Sequence, residues 1–238
     1  MTKFLIYFFP AIMDMLFGTV FFVCPMRLAA SGASATLASG IIVAWAVPYI
    51  ITNHFLGRWV TNKNAEKMLL WSSLALAVDA LCYIIFPAPM LQYLWTVVTG
   101  VGGAFFFAPF QTFMKGFESG SAGVVRSTGL YTFSWSFGLA CGPFLSGPLW
   151  ERFGWQYCHL LNVLIGIICF AGIYLLGRMR HSTHKHGETA GTAQELSAYA
   201  HMRDLAWLGW IGSGVGCFVV SIIRGVFPKT ATEYGVAV

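Results

Sequence analysis

Long apolar runs alternate with short polar stretches along most of the chain. Each run is close to the about 20 residues that an α-helix needs to cross a bilayer. The pattern therefore predicts an all-α, multi-span membrane bundle. The seven predicted spans are about 4–26, 37–56, 68–86, 91–114, 127–150, 157–177 and 205–227.

The first apolar run could instead be a signal peptide, because it follows Lys3 and small residues (Ala33-Ser-Ala) lie just beyond it. However, the run is longer than the apolar core of about 7–15 residues that signal peptides carry. It also holds Pro10 and Asp14 in its middle. We interpret it as an uncleaved first span.

Residues 178–203 break the apolar pattern and predict a cytoplasmic linker. The chain then divides into a six-helix bundle at 1–177, this linker, and the first helix of an incomplete second bundle at 204–238. The linker histidines could bind a metal weakly, but no carboxylate or thiol completes a ligand set. No metal or other cofactor is predicted. These histidines are His181, His184 and His186.

Composition supports the membrane class: 57% of residues are hydrophobic and only 10% are charged, against about 25% charged in soluble domains. The net charge of +5 reflects membrane topology, because no basic helix or RNA-binding motif is present, and no nucleic-acid partner is expected. Ten Lys and Arg fall on one side of the predicted spans and four on the other. By the positive-inside rule the N-terminus is cytoplasmic, in a multi-pass protein of the cell (plasma or inner) membrane.

The six cysteines fall within or at the ends of apolar runs and form no CxxC pair. Zinc and redox sites are therefore not indicated. Cys24 and Cys158 both fall near the outer face and could meet, although buried free thiols are the interpretation that we favour.

The fifth run contains an unusual cluster of small residues and prolines. In lipid, neighbouring helices can satisfy the backbone groups that proline leaves free. Small residues four apart, here Gly138 and Gly142, let two helices approach closely, and Pro143 predicts a bend. The pattern Gly138-xxx-Gly142-Pro143-xx-Ser146-Gly147 resembles the GxxxGPxxGG signature of the major facilitator superfamily, with Ser146 replacing one Gly.

Two further segments bear on this resemblance. The start of the sixth run, with Gly and Trp followed by Asn162 and a later Gly, is similar to the sixth helix of the superfamily. The loop after the second run begins Gly57-Arg58 and keeps the first Gly and the spacing of the superfamily pattern GxLaDrxGrkxxl. Thr61 stands where that pattern has its acidic residue and Asn64 where it has its second Gly. The resemblance therefore does not imply the interaction between an acidic side chain and a helix dipole that usually stabilises this loop in the superfamily.

The resemblance implies a solute transporter that works by alternating access between two six-helix halves. The chain carries one half and a single further helix. We therefore expect it to be a fragment of a longer permease, or to assemble with a partner chain. Its expected partners are a small solute, a co-transported proton and the lipid bilayer.

Ionisable residues inside spans are costly and are functional candidates by default. Two acidic residues qualify, Asp14 in the first span and Asp79 in the third. The resemblance places the first helix at the central cavity and the third outside it. Asp14 is thus the candidate for contact with solute or proton, and its alternative is a structural carboxylate. Asp79 is interpreted as structural.

Aromatic residues of the second and fifth runs are further candidates for the solute pathway. Trp45, Tyr131 and Trp135 could stack on a sugar or aromatic solute, and packing or lipid contact is an equally open interpretation. Asn53 and His54 could line a cavity or lie at the membrane interface, and the sequence favours neither position.

Other classes of membrane protein fit the sequence less well. A retinal photoreceptor needs a lysine midway along the seventh span, and Lys229 lies past its end. A seven-helix receptor or a non-transporting protein that assembles with a partner stays as the alternative. No HExxH motif or nucleophile–base pair lies in the spans, so an enzyme is not expected.

Overall fold

The computed structural model describes residues 5–115, 117 and 120–183, with side chains at 5–115, 117 and 126–179. This part of the chain is helical, with loops and no strands. Residues 184–203 of the predicted linker (178–203) and the predicted seventh span at 205–227 lie outside it, whereas 178–183 belong to the last described helix. Its six long helices are α1 Phe8–Ala30, α2 Ala35–Leu56, α3 Ala65–Ile85, α4 Leu91–Lys115, α5 Gly120–Phe153 and α6 Trp155–Thr183.

Short turns with specific backbone chemistry separate the first two and the last two helices. Gly32 adopts a φ of 84° after α1, and Gly154 a φ of 98° between α5 and α6. This left-handed region suits glycine, which has no Cβ to clash. Ser34 then caps α2 by accepting a hydrogen bond of 3.3 Å from the backbone N–H of Leu37.

Helix α1 is the central and most buried helix of the bundle. It packs most extensively on α5 and also contacts α6 and α2, while α3 packs on α6 and α4, and α4 packs on α2. The hydrophobic core forms where these helices meet, around Met13, Phe17, Phe106 and Phe110. The six-helix part of the fold prediction is therefore confirmed.

Contacts at the two ends of the bundle show that successive helices alternate in direction. At one end, Arg27 donates a hydrogen bond of 2.5 Å to the backbone O of Pro87 and lies 3.4 Å from the ring centroid of Trp155. At the opposite end, Glu66 of α3 lies against Gly177 of α6. The loops after α1, α3 and α5, which the positive-inside argument grouped on one side, do lie at a common end.

The boundaries of three spans differ from the prediction. Residues 120–126 were predicted as part of a loop, but α5 already begins at Gly120. Small and polar residues lower the apolar signal there, while no proline interrupts the helix before Pro143. Helix α1 ends at Ala30 rather than near 26, with Pro25 and Arg27 inside it, and α6 continues past Gly177 to Thr183.

Five of the six helices are long and apolar enough to cross a membrane. The exception is α5, whose apolar character is diluted by its Gly, Ser and Thr residues. At 34 residues it is roughly 50 Å long, which exceeds the hydrocarbon core of about 30 Å. Helix α5 therefore has enough length to span the bilayer and project beyond it.

Candidate functional site

Asp14 is the seventh residue of the 23-residue helix α1 and is buried inside the described bundle. Its side chain is only 3% exposed. The Oδ2 atom is buried and has no hydrogen-bond partner among the described residues. Because a buried polar atom without a partner is costly, such an atom needs an explanation. Asp14 Oδ2 is therefore an unsatisfied buried acceptor in the described part of the chain.

Two tyrosines from two other helices lie within electrostatic range of this carboxyl. It interacts electrostatically with the phenol groups of Tyr49 on α2 and Tyr131 on α5. The Tyr131 hydroxyl is in turn within hydrogen-bonding reach of Gln111 on α4. Helices α1, α2, α4 and α5 thus each contribute a polar group to one region of the bundle.

Aromatic rings form one wall of this region. Trp45 stacks on Tyr49 with 4.6 Å between ring centroids, and Phe21 meets Trp45 edge-on at 4.9 Å. The Trp45 Nε1 atom is buried and has no hydrogen-bond partner among the described residues. Tyr131 stacks on Phe110 at 6.0 Å. The rings are therefore held by packing, and one indole N–H stays unpaired.

The structure brings Asp14, Trp45 and Tyr131 into one region, as the sequence suggested. Trp135 lies one helical turn after Tyr131 and is half-buried against the core. Asn53 donates a hydrogen bond of 3.0 Å to the backbone O of Tyr49, whereas His54 is exposed. Sequence reasoning missed Tyr49 and Gln111. Tyr49 lies four residues after Trp45 and so on the same helix face, which was a usable signal.

The glycines of the fifth helix pack against α1. A Cβ at Gly142 would come within 2.6 Å of the Cα of Gly18, and a Cβ at Gly138 would overlap the backbone of Ala11. Gly147 has no such neighbour within 4 Å. Gly138 and Gly142 therefore permit the closest helix–helix approach in α5, and Gly147 takes no part in it.

This packing joins two helices of the same bundle. The α1 partner belongs to the same six helices, because Gly18 of α1 supplies a matching small residue. Pro143 lies within a continuous α5, and its ring faces Gly18. Ser146 donates a 2.7 Å hydrogen bond to the backbone O of Gly142, and its Oγ lies 3.0 Å from that of Thr19. Ser146 therefore adds a polar contact that a glycine could not make.

The loop between α2 and α3 is closed by Asn64. Its Oδ1 accepts a hydrogen bond of 2.7 Å from the backbone N–H of Thr61, and its Nδ2 donates one of 2.6 Å to the backbone O of Trp59. Gly57 follows α2 directly, and the Arg58 side chain is exposed. The residue that departs from the superfamily pattern thus forms the hydrogen bonds that fix the loop.

Asp79 belongs to a separate buried polar network in the half of the bundle nearer to the α3–α4 loop. The Thr99 hydroxyl donates a hydrogen bond of 2.5 Å to the Asp79 Oδ2. The Tyr83 hydroxyl lies 3.0 Å from that of Thr96 and 3.1 Å from that of Thr99. The Tyr83 ring stacks on His159 with 4.5 Å between centroids. The network joins α3, α4 and α6.

The five cysteines in the described part of the chain are free thiols. Cys24 and Cys158 are both buried and are not joined. The sixth, Cys217, lies outside the described residues.

Comparison with protein-family models identifies the family of this chain. The sequence matches the family model of the Major Facilitator Superfamily over residues 4–238. The chain belongs to the Major Facilitator Superfamily. Comparisons with curated proteins and with solved structures gave no match. This superfamily member is a multi-pass membrane transporter, and the match gives no support to a seven-helix receptor.

Proposed function

We propose that the described bundle forms one wall of a solute pathway and works by alternating access. In such transporters two bundles rock around a site near the bilayer midplane. The observation that carries the proposal is Asp14, a buried carboxyl on the central helix with an unpartnered oxygen. Tyr49, Tyr131 and Gln111 supply polar groups from the helices around it.

In this proposal Asp14 contacts the solute or the coupling proton. A carboxyl in the middle of a span can take up a proton or balance a cation, and both changes alter its charge within a poorly solvated region. The unpaired Trp45 Nε1 offers a donor to a solute hydroxyl or carbonyl, and the neighbouring rings offer stacking surfaces. The facing wall would come from a second bundle, in the same protein or in a partner chain.

We further propose that the protein lies in the cell membrane with its N-terminus in the cytoplasm. The ten-to-four distribution of Lys and Arg supports this orientation. The alternation of helix directions supports the grouping of loops on which that count depends.

Uptake by reconstituted protein tests the role of Asp14. First, thermal unfolding is measured with a panel of neutral and cationic solutes, such as glucose, alanine and choline. A ligand that binds the folded state raises its stability, so the solute that stabilises the protein most is chosen as the probe. Uptake of that radiolabelled probe is then measured in proteoliposomes under an imposed pH gradient. Wild-type protein should concentrate the probe, and Asp14→Asn should abolish concentrative uptake while leaving expression and thermal unfolding intact.

The matched control is Glu151→Gln, an acid-to-amide change at an exposed position near the end of α5. This variant should accumulate the probe as wild type does. Normal proton-driven accumulation by Asp14→Asn would remove Asp14 from the coupling mechanism.

A further inference from the structure

A continuous apolar groove runs between α3 and α4, away from the Asp14 region. One cavity of about 530 Å³ is lined by residues from Lys67 to Leu76 of α3 and by Gly102 and Phe105 of α4. A second cavity of about 390 Å³ lies further toward the outer end of α3. Trp71, Ala75 and Val98 line both cavities. The groove opens at the surface of two apolar spans, where lipid is the surrounding solvent.

Two polar groups without partners line the outer cavity. Asp79 is 4% exposed, and its Oδ1 has no hydrogen-bond partner among the described residues. Trp95 contributes a buried Nε1 that also lacks one there. The Thr99 hydroxyl lies 2.5 Å from the Asp79 Oδ2 and 2.9 Å from the backbone O of Trp95, so it links the two residues. Both atoms are buried behind the largely apolar lining, so the wall of the cavity holds one unused acceptor and one unused donor beneath its surface.

This pair of groups defines the chemistry of a ligand. A hydroxyl can donate to Asp79 Oδ1 and accept from Trp95 Nε1, and so it can satisfy both atoms at once. A protonated amine has no lone pair for the indole N–H, and a hydrocarbon satisfies neither atom. The remaining lining is apolar, including Leu74 and Val78.

We propose that the α3–α4 groove binds a membrane amphiphile that has one hydroxyl group and a long apolar body. The hydroxyl lies at Asp79 and Trp95, and the apolar body extends along Trp71 and Ala75 toward Lys67. From Asp79 to Lys67 the groove follows α3 for roughly 18 Å at 1.5 Å per residue. The ligand enters sideways from the bilayer, so this site is distinct from the solute pathway and does not depend on it.

Photolabelling in the membrane tests the proposal directly. The probe is hexadecanol with a diazirine in its chain, added to the full-length protein in phosphatidylcholine vesicles and mapped by mass spectrometry. Labels should fall within 68–105, and excess hexadecanol should reduce labelling at least fivefold. Hexadecyl methyl ether, which can accept but not donate a hydrogen bond, should reduce it less than twofold.

Three variants sharpen the test. Ala75→Phe fills the groove where the two cavities join, and Asp79→Leu removes the acceptor; each should reduce labelling at least fivefold. Ile167→Phe, on the exposed face of α6, is the matched control and should label as wild type does. If Asp79→Leu does not fold, Trp95→Phe removes the donor instead, and hexadecanol should then compete no better than the ether.

Three results would overturn the proposal. Equal competition by alcohol and ether would show a hydrocarbon site without hydroxyl recognition. Preferential competition by phosphatidylglycerol would show that Lys67 holds an anionic headgroup. Absence of labels from 68–105 in the wild-type protein would show that another part of the protein covers the groove.

Discussion

Gly142 of α5 lies directly against Gly18 of α1, so close that a Cβ at Gly142 would stand 2.6 Å from the Gly18 Cα. In lipid the hydrophobic effect does not drive helices together, so close backbone packing supplies much of their association. The two glycines therefore fix the main helix–helix contact of the bundle.

Substitution of Gly142 by alanine should separate α1 from α5. The added methyl group meets backbone atoms, which cannot move aside as a flexible side chain can. We expect a loss of about 1–3 kcal/mol in the free energy of unfolding, as for overpacked cores. The measurement is unfolding by SDS titration in mixed micelles. Gly147→Ala, which meets no atom within 4 Å, is the control, and an equal loss in that variant would contradict the packing explanation.

Thr99→Val should destabilise the protein, because Thr99 is the one hydrogen-bond donor to Asp79 among the described residues. This change removes the hydroxyl 2.5 Å from Oδ2 and leaves the carboxyl without a partner among the described residues, at a cost of about 1–3 kcal/mol. The double variant Thr99→Val/Asp79→Leu should recover part of that loss, because the unsatisfied group is then absent. Unfolding of both variants by the same titration measures the effect, and an additive loss in the double variant would argue against the hydrogen bond.

Asn64→Ala should loosen the loop between α2 and α3. Both side-chain hydrogen bonds to the loop backbone are lost, and each contributes about 0.5–1.5 kcal/mol. Limited proteolysis of the 57–64 segment should become at least threefold faster. Asn62→Ala changes a neighbouring exposed asparagine and should leave the rate unchanged; faster cleavage of both variants would point to a general effect of polarity.

Single-cysteine labelling should establish the orientation in the membrane. In a cysteine-free background, Asn62→Cys should react with an impermeant maleimide only after the cytoplasmic side is opened. Ala88→Cys, in the exposed loop between α3 and α4, should react in intact cells. The reverse pattern would invert the proposed topology.

The described helices were largely predictable because each apolar run has a length fixed by the bilayer. The start of α5 was not, since Gly, Ser and Thr dominate residues 120–123 and 127–129 and hide its helical character. The Gly138 and Gly142 spacing signalled close packing, but not that α1 would be the partner. Sequence spacing along one helix does not identify the helix that faces it.

The candidate site was predictable only in part. Asp14 stood out as a charge within an apolar run, and Tyr49 could have been found from its spacing after Trp45. Gln111 became visible only when the helices were brought together. The buried His159 was likewise distant in sequence from its neighbour Tyr83 on α3. Such networks depend on tertiary packing, which local pattern does not encode.

The central position of α1 also has a consequence for biosynthesis. This helix is made before its principal partner α5, which begins only at Gly120. Until then the nascent chain holds the Asp14 carboxyl in a membrane without the helices that later enclose it, and such exposure is costly in hydrocarbon. The insertion machinery therefore has to shelter α1 while four further helices are synthesised, which makes this stage the vulnerable step in producing the protein.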